Sequence, residues 1–171
     1  MKILKCFYIL LTLALLVSGS VRADDFFEAQ VDKVLDGDKI LLRGGTLVQF
    51  MGVEGPKTRD DSTLFDDIAE ESLEYTKSMI ERKKVRIRLS VPAGVPSEDS
   101  RKFAYVYCKG QMLNALLLKK GYAIISSTFP PDYEFEEYFE KCQNQAVNNK
   151  AGMWAQMVSA MSSLNKKSHV F

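Results

Sequence analysis

Residues 31–57, VDKVLDGDKILLRGGTLVQFMGVEGPK, divide into three short apolar runs separated by Asp36-Gly37-Asp38 and Gly44-Gly45, and this spacing predicts a three-stranded meander. A meander returns its first turn beside the end of its last strand, so Asp38 and Glu54 are expected on one rim, as two oxygen ligands of a hard cation would have to be. The plain alternative is a polar hairpin and a solvated strand end. Leu64, Ile68, Ala69, Leu73, Thr76, Met79 and Ile80 then recur at helical spacing, predicting an amphipathic helix from about Ser62 to Lys83. Glu70, Glu71, Glu74 and Lys77 form its wet face. KKVRIRLSV alternates strictly, with Val85, Ile87 and Leu89 inward and Arg86 and Arg88 outward. The arginines read as a wet strand face, with a basic stripe as the sharper option.

PAGVPSEDS is a turn, RKFAYVYC the next strand, and Lys109-Gly110 a further turn. MLNALLLKKG predicts a short helix closed by Gly121, followed by the apolar run YAII. Pro130-Pro131 stops the chain before Asp132, an N-cap for a helix with Phe135, Tyr138, Phe139, Cys142 and Ala146 at core spacing. Five strands, one helix between the third and fourth, and further helices describe an α+β fold: a five-stranded OB-fold β-barrel with three main helices. Residues 155–171 form a partly helical tail with Met153, Met157, Met161 and Leu164 about one helical face apart. This tail packs on the body or presents a Met face to a protein partner. His169, the only histidine, lies near its end, which sets aside histidine-based acid–base and triad chemistry.

The first 23 residues read as a cleavable secretory signal peptide: Lys2 and Lys5, an apolar run from Cys6 to Val17, and cleavage after Ala23. The run is short for a membrane span, so no stable span is expected once it is removed. Cys6 begins the run, where a lipoprotein cysteine would not sit. The mature chain is then exported, periplasmic or secreted. Losing Lys2, Lys5 and Arg22 from 23 basic residues leaves 20 against 22 acidic ones, a formal charge of −2. Its overall field does not draw in polyanions, so any grip on nucleic acid must come from a local basic patch. Cys108 and Cys142 remain, as a disulfide candidate or as two buried thiols.

DGDKIL, VQFMGVEGPKT, a helix with AEE, SRKFAYVY, GQMLNALLLKKGYA and NKAGMW follow one another as the landmarks of the staphylococcal nuclease (thermonuclease) family do. The chain resembles that family from roughly Ala29 to Trp154, which makes residues 24–154 a thermonuclease-like domain. The resemblance implies phosphodiester hydrolysis with Ca²⁺ held by two aspartates, a glutamate acting on water and two arginines on the phosphate. Carried over, the metal ligands are Asp38, kept, and Glu54, one methylene longer. The arginines fall on Arg101, kept, and on Gln49. The glutamate falls on Lys57. Lys39 and Gly55 also depart from the family's usual residues, and Ser100 stands where it usually has glycine.

A lysine with its ordinary pKa of about 10.4 is an ammonium at neutral pH and accepts no proton. Losing a general base typically costs about 10²–10⁴ in rate, and losing a charged phosphate clamp costs more. Lys39, Lys57 and Arg101 instead form a phosphate-binding set beside two carboxylates. Three classes follow: an exported domain with impaired or lost activity that binds nucleic acid, another anion or a protein; an active Ca²⁺-dependent nuclease with Asp60 or Asp61 replacing the base; and a structural envelope protein using the barrel as scaffold.

Overall fold

The computed structural model describes residues 26–56, 65–92 and 100–168, with side chains as far as residue 163. The segment expected to be a signal peptide, Lys57, Asp60, Asp61, His169 and most of the PAGVPSEDS turn lie outside them. Eight strands are described: β1 (Phe26–Asp36), β2 (Lys39–Leu42), β3 (Leu47–Phe50), β4 (Val53–Glu54), β5 (Lys84–Ser90), β6 (Lys102–Cys108), β7 (Gln111–Met112) and β8 (Ile124–Ile125). The helices are α1 (Asp66–Ile80), α2 (Leu113–Lys120), α3 (Tyr133–Asn148) and α4 (Met153–Ser168).

The long β1 is shared between two partners. Residues 26–30 pair with β5, and residues 31–36 pair with β2 through two register irregularities. Such bulges bend a strand and increase its twist, which lets β1 turn a barrel corner. β2 pairs with β3, β5 with β6, and a parallel β3–β6 contact, Val48↔Lys102 to Phe50↔Ala104, joins the two halves. The result is the closed five-stranded α+β barrel expected from the sequence, with β4–β8 as a small separate pair. Its interior holds Val31, Val34, Ile40, Val48, Phe50, Ile87, Ala104 and Val106.

Four readings need correction. Leu89, read as inward, is 46 % exposed near the end of β5. Tyr138 is 42 % exposed and meets Lys119 at the edge of α3, while Phe135 and Phe139 pack on Tyr105 as core spacing requires. The tail is helical from Met153 to Ser168, so a fourth helix begins before the boundary drawn at residue 155. Cys108 and Cys142 are free buried thiols rather than a disulfide. Cys108, ending β6, donates to the Met79 carbonyl at 3.5 Å, whereas Cys142 lies on α3 against Tyr138 and Lys119.

Asn114 ties these layers together. Buried at the start of α2, it donates to the Met51 carbonyl at 2.8 Å and the Ala104 carbonyl at 3.2 Å, and accepts from the Val106 N–H at 3.0 Å. One side chain thus fixes the β3–β4 connection and β6 against a helix. α2 ends at Gly121, whose left-handed φ of 68° suits a residue without Cβ; an added Cβ would lie 2.1 Å from the Ala151 carbonyl oxygen. Asp132 sits at the α3 N-cap position, but its carboxylate accepts from Ser90 Oγ and its N–H donates to the Tyr105 hydroxyl.

Asn114→Ala leaves the Met51 carbonyl and the Val106 N–H short of a partner, while the Ala104 carbonyl keeps its bond from the Met51 N–H. It is expected to cost about 3 kcal/mol, seen as a lower urea midpoint with an unchanged slope.

Candidate functional site

The Asp36-Gly37-Asp38 turn is built from both sides. Within it, Asp36 Oδ1 accepts from the Gly37 N–H at 2.9 Å and Asp36 Oδ2 from Lys39 Nζ at 3.3 Å. From below, Thr76 Oγ1 of α1 donates to the Gly37 carbonyl at 2.8 Å. A Cβ at Gly37 would fall 2.0 Å from Ser72 Oγ, so only glycine lets the turn rest on the helix. This explains why Ser72 and Thr76, polar residues on the helix face, are buried. The Asp38 carbonyl then accepts from the Phe50 N–H at 2.8 Å, which fixes the turn against the end of β3.

The rim predicted from the meander forms. Asp38, Lys39, Gln49, Glu54 and Arg101 line one cleft of about 180 Å³ together with Thr128 and Phe129. Gln49 arrives there because it faces Lys39 across β2–β3 and Phe103 across β3–β6. Arg101 precedes β6, and its guanidinium lies 5.5 Å from the Phe103 ring centre and 5.9 Å from that of Phe129. These two rings touch, with centroids 4.6 Å apart. Planar cations stack well on aromatic faces, so the arginine is held at the cleft edge. Thr128, Phe129 and Phe103 escaped the sequence reading: SSTFPP carries no periodic signal and is brought here by the β4–β8 pair and the Ser126 N–H bond to the Gly52 carbonyl, and Phe103 by the β3–β6 pairing. Lys57 lies outside the described residues.

Asp38 is the least exposed member of the set, at 3 %, and its carboxylate is already partnered. Oδ2 accepts from Gln49 Nε2 at 2.8 Å and from the Gly55 N–H at 3.2 Å, while Lys39 Nζ stands 3.9 Å from Oδ1. Burial pushes the Asp38 pKa above its ordinary 3.8; Lys39 opposes that shift, the Asp36 charge adds to it, and the hydrogen bonds from Gly55 and Gln49 oppose it. Desolvation therefore outweighs the donors around it. Gln49 Oε1 is buried without a hydrogen-bond partner among the described residues.

Residues 47–156 match the family described as Staphylococcal nuclease homologue, which is well over half of the chain. The chain belongs to the staphylococcal nuclease family. It is 29 % identical over 129 residues to the thermonuclease of Staphylococcus hyicus, covering 74 % of this chain and 75 % of that protein. It is 26 % identical over 140 residues to the thermonuclease of Staphylococcus intermedius, covering 80 % of each. Endonuclease YncB of Bacillus subtilis (strain 168) is 23 % identical over 128 residues, 73 % of this chain but 60 % of that protein. The family match includes Gln49, Glu54 and Arg101 and begins after Asp38 and Lys39.

A Ca²⁺ ion takes six to eight oxygen ligands. Among the described residues no group of three His, Cys, Asp or Glu side chains could hold a metal ion. Of the two carboxylates in the cleft, Asp38 already accepts from two N–H donors and faces the Lys39 ammonium. As these side chains stand, the donor set does not fit Ca²⁺.

A carboxyl whose folded pKa is raised is stabilising in its protonated form. Its contribution is fully present below the unfolded value near 3.8 and is lost as pH rises through the folded value. Asp38→Asn should therefore be more stable than the natural chain at pH 7, with the advantage shrinking toward zero near pH 3, as urea denaturation across that range would show.

Proposed function

We propose that this chain is an exported thermonuclease-like domain that binds nucleic acid or another phosphate-bearing anion through Lys39 and Arg101, with impaired or lost phosphodiesterase activity. The carrying observation is the internal partnering of Asp38. The carboxylate that the resemblance assigns to the metal accepts from Gln49 and Gly55 and faces Lys39, so that residues of this chain supply the positive end that a metal would supply.

The charges around the cleft support binding over cleavage. Its lining brings two carboxylates, Asp38 and Glu54, against two cations, Lys39 and Arg101. At Gln49 an amide stands where the resemblance places an arginine, so one phosphate clamp is neutral. At Lys57 an ammonium replaces the carboxylate that would act on water. In this reading Arg101 and Lys39 offer charge-assisted donors to a phosphate. The mature chain's −2 charge makes that binding local and sensitive to salt. Export by way of residues 1–23 belongs to the same proposal.

One observation favours a second reading, a working Ca²⁺-dependent nuclease. The buried Oε1 of Gln49, a residue of the cleft, has no hydrogen-bond partner among the described residues and could serve as a further oxygen ligand, and the named relatives are thermonucleases and endonucleases.

Cleavage of single-stranded DNA and RNA, with Ca²⁺ and with a chelator, separates the two. The chain from Asp24 onward is expected to be inert or nearly so in both conditions. The double variant Gln49→Arg, Lys57→Glu is expected to cut with Ca²⁺ alone, faster by at least about 10². Ca²⁺-dependent cutting by the natural chain would defeat the proposal and send the search for a base to Asp60 and Asp61.

A further inference from the structure

The outward face of β1, β5 and β6 is covered over only part of its length. At one end α3 lies on it: Phe135 and Phe139 pack on Tyr105, and Arg88 pairs with Glu134 beneath the helix start. Beyond the helix, Phe26, Glu28, Lys84, Arg86, Tyr107 and Lys109 line an open hollow of about 470 Å³, larger than the cleft at Asp38 and sharing no residue with it. Strand register builds this surface. Glu28, Arg86 and Tyr107 stand in one row across three strands, and Lys109 follows in the β6–β7 turn.

Its chemistry combines aromatic rings with cations. The Arg86 guanidinium lies 4.5 Å from the Phe26 ring centre, and Phe26 meets Tyr107 edge to face with centroids 5.1 Å apart. Lys84, Arg86 and Lys109 bring three positive charges against the one carboxylate of Glu28, in a chain whose acidic residues otherwise prevail. Proteins that hold single strands without sequence preference use this pairing: cations follow the phosphates and aromatic rings take the bases. A hollow of this size is in the range that small ligands occupy.

We propose that this hollow is a second contact for single-stranded nucleic acid, one base lying on the Phe26–Tyr107 pair and the flanking phosphates meeting Lys84, Arg86 and Lys109. An acidic peptide would use the cations and leave the rings idle. Glu28 repels phosphate from the β1 side, so the strand runs along β5 and the β6–β7 turn. Because the two sites share no residue, failure here leaves the reading of the Asp38 cleft standing.

The test is fluorescence anisotropy of a fluorescein-labelled, twelve-residue oligothymidylate titrated with the chain from Asp24 onward, in chelator to prevent cleavage. Lys84→Gln, Arg86→Gln, Lys109→Asn is the charge variant, asparagine being tolerant of the φ of 50° at position 109. It should bind at least about tenfold more weakly, and its slope of log affinity against log salt should flatten by about 2, near 0.7 for each lost phosphate contact. Phe26→Leu should weaken binding about tenfold with the slope unchanged, because stacking and not charge is lost. Both variants should keep the natural urea midpoint, and Arg101→Gln in the other cleft should leave both differences in place. The proposal is overturned if the natural chain does not bind the oligonucleotide, or if the two variants bind as it does. Displacement of the oligonucleotide by polyglutamate as effectively as by its unlabelled form would overturn it too, by making the hollow a site for acidic peptide.

Discussion

An ionised carboxylate withdrawn from water must be compensated where it lies, and in this protein that requirement falls on Asp38. The compensation is assembled from separate parts of the chain: Gln49 from β3, the Gly55 N–H just after β4, and Lys39 from β2. α1 supports the same turn through Thr76 and makes room for it at Ser72, where Gly37 has no Cβ. The charge compensation and the backbone geometry thus depend on one another. A side chain that would serve a metal at an open rim is here a buried acceptor within the fold's own hydrogen bonding.

That arrangement links the architecture to the proposed loss of catalysis. The parallel β3–β6 contact closes the barrel and brings Gln49 near the start of β6, where Arg101 stacks beside Phe103 and Phe129. An arginine at position 49 would place a second guanidinium beside Asp38 and leave Lys39 less needed. With glutamine there, the remaining charges sum close to zero. In the proposed reading the cleft holds a phosphate oxygen through Lys39 and Arg101 while the groups that would drive hydrolysis are replaced.

Much of this was legible in the sequence because period and punctuation agreed. Asp36-Gly37-Asp38 and Gly44-Gly45 mark real turns, Val85 and Ile87 alternate inward, and Gly121 closes α2. The juxtaposition of Asp38, Lys39, Gln49, Glu54 and Arg101 also followed from the meander and the resemblance together. What escaped notice depends on distant parts of the chain. Leu89 is exposed near the end of β5, Ser72 is buried by a glycine 35 positions earlier, and the two cysteines sit on separate elements with different neighbours. Alternation along a strand cannot report how much of it is covered. Nor can helical spacing reveal that a serine lies under a turn.

The most direct test of the account is the ionisation of Asp38 itself, followed by ¹³C NMR of its carboxyl carbon as pH is raised, with and without millimolar Ca²⁺. Internal partnering in a desolvated site predicts a midpoint above the ordinary 3.8 that Ca²⁺ leaves in place. A midpoint that Ca²⁺ drives down would mean that Asp38 serves a metal.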